Sequence, residues 1–328
     1  MTAAFATSAG AALVRVVIVN FRTPALVVDC LASLAPEVAA RPGTRVCVVD
    51  NASEDGSAEA IADAIVARGW AGWAELRRSP ANGGYASGNN LAIGPALAED
   101  PPPDLFWLLN PDTQVRAGSL AALTAFLDDH PDAGIVGSGF EDAEGQPWRY
   151  TFRFPTVLSE LEGGARLGVL ARLLQRRRLM REMGEEPALV EWVTGASMLV
   201  RRQVFEDVGL MDDGYFLYYE ETDFCLQARR AGWACWYVPQ GRVMHIVGQS
   251  TGVTSEDGAG RRLPAYWFES RRRYFLKNHG RLYAVLADVT WTLAHLSLRL
   301  RSRRWQGPPH LLSDFLRHSA LIRGAGRG

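Results

Sequence analysis

The chain lacks the two glycine-rich loops by which most nucleotide-binding sheets cradle phosphate. The turn after its first long apolar run reads Val-Asn-Phe-Arg-Thr-Pro at positions 19–24, with no GxGxxG, and no GxxxxGK[ST] occurs anywhere. Cysteine is sparse: Cys30, Cys47, Cys225 and Cys235 show no CxxC spacing. They read as reduced thiols of a cytosolic protein, which excludes a disulfide scaffold or a zinc ribbon. No uninterrupted hydrophobic run reaches the roughly 18–20 residues of a membrane span, and there is no internal repeat or low-complexity linker. Residues 1–12 are small and polar without a basic start, and are expected to be a disordered leader rather than a targeting signal.

What is present is ordinary globular material: 328 residues, 48% hydrophobic and 22% charged, enough for a large core. The net charge of −1 hides an asymmetry. Residues 261–328 hold 14 Lys/Arg against 3 Asp/Glu, so the tail is basic and the body acidic. A basic tail points either to an anionic partner or simply to a solvated basic helix.

The first half alternates strand and helix. Apolar runs at Leu13–Val19, Arg45–Val49 and Leu105–Leu109 predict buried strands, and residues near Trp73–Arg77 read as a short third strand. Helices are predicted from Pro24 to about Leu34, from Ser57 to about Ala67, from about Ser87, and over Ala117–Asp129, with a fifth strand beginning at Gly134–Gly137. Repeated βα units imply a parallel, doubly wound sheet with ligands at the carboxyl ends of its strands. The second half is less regular: a helix over Leu158–Met183 containing the basic run 175–178, a strand over Val190–Val200, a helix over Glu221–Ala231, and a strand over Trp233–Val238 stopped by Pro239. From Arg281 to about Arg304 the spacing of Leu282, Val285, Leu286, Val289, Leu293, Leu296 and Leu300 predicts an amphipathic helix interrupted by Asp288 and His295. With Trp291 and the arginines at 299, 301, 303 and 304 it suits an anionic membrane surface, or else its stripe packs on the body.

Without a phosphate loop, a bound diphosphate must be neutralised another way, and a carboxylate-held Mg²⁺ or Mn²⁺ is the obvious substitute. Asp112, in "LLNPDT" just past the fourth strand, is placed for it, although an Asn-Pro-Asp turn explains the same residues. Asp50 ends the second strand where it can meet a ribose or base, or build a turn with Asn51, Ser53 and Asp55. "NGGYASGNN" at 82–90 combines glycines that let backbone approach a ligand with the amides of Asn82 and Asn89. Glu220, Glu221 and Asp223 crowd a helix start; three acids exceed what a cap requires, and their repulsion should raise at least one pKa, which suits a general base. His245, a lone histidine among apolar neighbours, gains meaning only if it meets Asp112.

In this order, "VVIVNFRTP", "VVDNASEDGS", "NGGYASGNN", "LLNPDT", "WVTGASMLVRR", "YYEETDFCLQARRAGW" and "MHIVGQS" resemble family 2 glycosyltransferases, in particular their rhamnosyltransferase-like branch. The resemblance spans residues 14–250. It implies the GT-A fold, an α/β Rossmann-like, mostly parallel sheet flanked by helices, over residues 13–260, with residues 261–328 a basic helical extension. It implies an inverting transferase that takes a sugar from a nucleotide-diphosphate donor, here dTDP-rhamnose, to a glycan or lipid-linked glycan acceptor with a divalent cation. Carried over residue by residue, Val19 and Phe21 flank the base, Asp50 holds base or ribose, and Asn82, Gly84 and Asn89 line the donor pocket. Asp112 matches the last acid of the DxD motif, with Asn110 in place of the first, and His245 matches the later metal ligand. Glu221 matches the catalytic base, usually Asp, with Glu220 as deputy. Trp192, Gly195 and Ala196 match a loop near the acceptor, and Asp223 an anchor of its helix. The alternatives are a sugar nucleotidyltransferase, which normally carries a basic Gly-rich loop missing here, and an inactive membrane-surface binding module. Nothing in the basic tail reads a nucleic-acid groove.

Overall fold

The computed structural model describes residues 12–174, 178–245, 262–302, 308 and 310–323. The predicted leader, most of the basic run at 175–178, the residues after His245 in "MHIVGQS", the boundary near residue 260 and the arginines at 303 and 304 fall outside them. The elements follow in order as β1 (Val14–Asn20), α1 (Pro24–Ala40), β2 (Thr44–Asp50), α2 (Ser57–Ala67), β3 (Ala74–Arg78), α3 (Gly84–Leu97), β4 (Leu105–Leu109), β5 (Thr113–Val115), α4 (Ser119–Asp129), β6 (Ala133–Glu141), β7 (Pro147–Trp148), β8 (Tyr150–Phe152), α5 (Val157–Ala165), α6 (Gly168–Leu173), β9 (Met180–Glu182), β10 (Ala188–Val190), β11 (Ser197–Arg201), α7 (Arg202–Val208), α8 (Glu220–Arg230), β12 (Ala234–His245), α9 (Ala265–Arg301) and α10 (Leu311–His318).

One sheet dominates, in the order β10-β12-β6-β11-β4-β1-β2-β3, with β5 added beside β12 and β7 beside β6. Strands β3, β2, β1 and β4 run parallel, and β11 enters antiparallel between β4 and β6. Alternate side chains of each strand face opposite layers. Val16 and Ile18 of β1 join Leu31 of α1, Ile61 of α2 and Leu123 of α4 in one core, while Val17 joins Ile93 of α3, Phe205 of α7 and Phe224 of α8 in the other. Burial on both faces is why these strands read as unbroken apolar runs. Arg15 is tolerated within β1 because Glu99 accepts two bonds from its guanidinium, at 2.7 and 2.8 Å.

The second half departs from the sequence reading in three places. The helix expected over Leu158–Met183 is two short helices followed by β9. Arg166, left-handed at φ 45°, closes α5, and β9 pairs with β8. The strand expected over Val190–Val200 is divided into β10 and β11 by a loop that carries Trp192, Gly195 and Ala196. β12 does not stop at Pro239: its register against β6 shifts between Val238 and Arg242, so a bulge absorbs the missing N–H and the strand continues to His245.

Helix α9 begins at Ala265, sixteen residues before the predicted start, and bends at Gly280, whose φ of 80° is outside the helical region. Its first half grips the body. Arg271 is buried between Glu160 of α5, at 2.8 Å, and Asp288 of its own second half, at 2.6 Å. The predicted interruption at Asp288 is thus an internal ion pair, and Asp288 also accepts the Ala320 amide at 2.7 Å. Among the described residues no helix is long and apolar enough to cross a membrane.

Candidate active site

The ends of β1, β2, β4 and β12 and the starts of α3 and α8 meet at the carboxyl edge of the sheet. At the ends of β1 and β2, Asn20 donates to Asp50 Oδ1 at 2.7 Å, and Ser53 donates to the same carboxylate through its hydroxyl at 2.6 Å and its amide at 3.1 Å. Asp50 is therefore a buried clamp between two strand termini, with Oδ2 accepting only the Ser53 amide. Its neighbour Asn51 donates to Asn82 Oδ1 at 2.9 Å and to the Gly84 carbonyl at 3.0 Å. Gly84 is left-handed at φ 87°, and a Cβ there would stand 1.8 Å from the Phe216 carbonyl oxygen, so only glycine lets α3 start under this loop.

These residues border a slot of about 130 Å³ lined by Val19, Phe21, Asn82, Gly84, Tyr85 and Asn110 among others. That volume takes a ring-sized group rather than a whole nucleotide sugar. Of the six predicted donor residues, four line it. Asp50 and Asn89 stand behind it, Asn89 donating to the Tyr85 carbonyl at 2.9 Å. Tyr85 and Asn51 also line the slot and were not anticipated there; nothing in their local pattern separates them from ordinary turn and helix residues.

Asp112 and His245, 133 positions apart in the sequence, come together because β5 pairs with the end of β12, His245 opposite Thr113. His245 Nε2 lies 3.4 Å from Asp112 Oδ1, and both side chains are largely buried. The Nδ1 of His245 has no hydrogen-bond partner among the described residues. Among those residues there is no cluster of three or more His, Cys, Asp or Glu that could hold a metal. One carboxylate and one imidazole fit Mg²⁺ or Mn²⁺ only if the cation draws its other ligands from donor phosphates and water, which hard cations commonly do.

The acidic helix start is built under strain. Tyr218 and Tyr219 precede α8 with φ of 72° and 70°, two consecutive left-handed non-glycine residues. They turn Glu220 inward, 2% exposed, and set Glu221 partly open against the Gly195 loop. Burial raises the pKa of Glu220 well above the usual carboxylate range, and the neighbouring Glu221 adds to it. Glu221 is raised by burial, opposed by backbone amides that include Gly195. Sequence reasoning named repulsion as the cause; burial is the larger one. Asp223 is a different case: Lys277 and Asn278 of α9 each donate to it at 2.6 Å, which fixes α8 on the tail helix. Trp192 stacks on Phe152 at 4.4 Å and donates to the Arg153 carbonyl. Ala196 is buried, its carbonyl accepting from the Asn110 amide at 3.1 Å. The hydroxyl of Tyr85 donates to the Gly195 carbonyl at 2.7 Å, which ties the slot to this loop.

A carboxyl whose pKa is raised by folding lends full stability below its ordinary value and loses it as pH climbs through the folded value. Glu220→Gln removes that loss. The variant should melt about 2 °C or more above the wild type at pH 8, with a smaller gain at pH 5, since tenfold in proton affinity is worth about 1.4 kcal/mol. Melting curves at the two pH values check this, and an equal or reversed gain contradicts it.

By sequence, residues 11–262 match the family described as glycosyltransferase like family 2. The N-acetylglucosaminyl-diphospho-decaprenol L-rhamnosyltransferase of Mycobacterium tuberculosis (strain ATCC 25618 / H37Rv) is 31% identical over 294 residues, covering 82% of this chain and 84% of that protein. The dTDP-rhamnosyl transferase RfbF of Shigella flexneri is 22% identical over 230 residues, 68% of this chain and 70% of its own. Among solved structures, the mannosyltransferase PcManGT from Pyrobaculum calidifontis, in complex with GDP-Man and Mn2+, aligns with a TM-score of 0.53 at 15% identity, covering 98% of this chain and 77% of that one. At that identity the likeness concerns the fold.

Proposed function

Because the chain belongs to glycosyltransferase family 2, we propose that it is an inverting rhamnosyltransferase that moves rhamnose from dTDP-rhamnose to a lipid-linked glycan. The observation that carries this reading is the meeting of Asp112 and His245 at 3.4 Å on the same sheet edge as the donor slot. The names of the two rhamnosyltransferase relatives support the choice of sugar, and the decaprenol-linked substrate in one name supports the choice of acceptor.

In this reading Val19 and Phe21 sandwich the base at the slot, with Asn82 and Gly84 at its rim and Asp50 and Asn89 stiffening its back wall. Asp112 and His245 would hold Mg²⁺ or Mn²⁺, which when bound supplies positive charge against the diphosphate leaving group. Glu221 faces the acceptor. It accepts the proton of the acceptor hydroxyl as that oxygen bonds to the anomeric carbon, and the bond from that carbon to the diphosphate oxygen breaks. One displacement inverts the configuration, and no covalent nucleophile is required. Glu220 is the more deeply buried of the pair, and burial favours its protonated form, which leaves Glu221, partly open toward the Gly195 loop, as the better placed base. Trp192 with Phe152 forms a flat aromatic wall suited to a sugar face, and the Gly195–Ala196 loop sets the distance between acceptor and base.

A thermal-shift series with nucleoside diphosphates tests the reading. At about 100 times its dissociation constant, a ligand of the native state adds about 2.7 kcal/mol of apparent stability. dTDP with Mn²⁺ should give the largest shift, above UDP and GDP. Absence of a shift with every nucleoside diphosphate, with or without metal, would remove the reading.

A further inference from the structure

The second half of α9 is amphipathic in the reverse of the usual sense. Its face toward the body is mostly small and polar: Ala284, Ala287, Asp288, Ala294 and His295 are buried there, with Leu298 the one large apolar residue among them. That face is held by the Arg271–Asp288 pair, by Trp291 stacked on Phe315 at 3.9 Å, and by Arg301 donating to the Ala165 carbonyl at 2.6 Å. The opposite face is apolar and open. Leu282, Leu286, Val289, Leu293, Leu296 and Leu300 are between 36% and 89% exposed. Steps of four and three residues keep them within an arc of about 80° over about 27 Å of helix. Of the stripe expected from sequence, Val285 packs against the cluster around Tyr274 and Phe275, while the other six residues do not turn into the body.

Charge decides what covers it. Arg281 and Arg299 are exposed at either end of the stripe and have no acidic partner among the described residues. The three acids of the tail are engaged internally: Asp288 with Arg271, Asp314 with Arg262, and Glu269 with His318 and Arg323. Between the arginines the flanking positions are uncharged Thr290, Thr292 and Ser297. A second copy fits this face poorly. Antiparallel pairing sets Arg281 against Arg299 and Arg301 of the copy at both ends, and parallel pairing sets Arg299 against Arg299, with no acid on the seam to offset either.

We propose that the second half of α9 is an interfacial docking helix for an anionic lipid bilayer. The leucines enter the boundary between headgroups and acyl chains, and Arg281 and Arg299 meet anionic headgroups. The first half of the same helix, across the Gly280 bend, holds Asp212 and Asp223 through Arg273, Lys277 and Asn278. Docking thus fixes the acidic start of α8 relative to the lipid surface. The proposal does not rest on the functional reading, since lipid binding is measured without donor or acceptor.

The test is co-sedimentation of the full chain with vesicles of phosphatidylcholine alone or with about 30% phosphatidylglycerol. Binding to the anionic vesicles should be at least about tenfold tighter and should weaken as salt is raised. The triple variant Leu286→Gln, Leu293→Gln, Leu300→Gln should lose about tenfold or more of that affinity with little change in melting temperature, since these side chains are more than half exposed. Arg281→Gln with Arg299→Gln should reduce the preference for anionic over neutral vesicles. The proposal is overturned if the wild type does not bind anionic vesicles, or if the triple variant binds them equally well. It is also overturned if the wild type sediments as a dimer that the triple variant dissociates while neither binds lipid.

Discussion

Glu221→Gln is expected to lower turnover about 10³-fold while leaving nucleoside diphosphate affinity within a factor of about two. The amide keeps the size and position of the side chain against the Gly195 loop but cannot take the acceptor proton. Glu220→Gln is the control: burial already favours the protonated form of Glu220, so an amide in its place should keep turnover within a few-fold of the wild type. The pH profile carries the same information. Burial raises Glu221, so kcat/KM should fall on the acid side at a pH above the ordinary carboxylate range, as the base becomes protonated. Single-turnover assays with donor binding measured separately check both variants. Equal losses in the two, or a Glu221→Gln variant with near-normal turnover, would assign the base elsewhere.

Arg271→Met should produce the largest loss of stability of any single change outside the sheet. Its guanidinium lies between Glu160 and Asp288 and under the rings of Phe275 and Phe315, at 4.8 and 4.7 Å. Removing it leaves two buried carboxylates without their cation, a loss of about 3–5 kcal/mol. Melting should fall by roughly 10 °C at neutral pH. Adding Glu160→Gln and Asp288→Asn to the same chain should recover a large part, because a neutral buried group costs less than an orphaned charge. Denaturant titration of the single and triple variants measures both effects. If the single variant is as stable as the wild type, the account of how α9 is joined to the body fails.

How far the sequence could be read depends on the range of the interaction that set each feature. β4 and α2 end where the apolar runs and the Ser57 start placed them, because local pattern and two-sided burial agree there. β5 was invisible: three residues, Thr-Gln-Val, become a strand only because the far end of β12 lies beside them. That pairing creates the Asp112–His245 contact, so the resemblance to a family named both residues while their spacing alone could not. Gly163, Gly164 and Arg166 end α5 early where helical periodicity had suggested continuation. The leucine stripe of α9 was plain in the spacing, but its direction was not. Periodicity reports that a helix has two faces, and only Arg271 and Phe315 on the other side show which one turns inward. The tail also contributes Lys277 and Asn278 to the anchoring of Asp223, a contact from beyond the span of the family resemblance.

The central claim is that Asp112 and His245 together recruit a cation to the donor's phosphates. Isothermal titration of dTDP into the wild type and into Asp112→Asn, each with and without Mn²⁺, tests it directly. The account predicts that Mn²⁺ tightens dTDP binding at least about tenfold in the wild type, and has little effect in the variant, whose metal-free affinity is unchanged. The same Mn²⁺ enhancement in both proteins, or none in either, would contradict it.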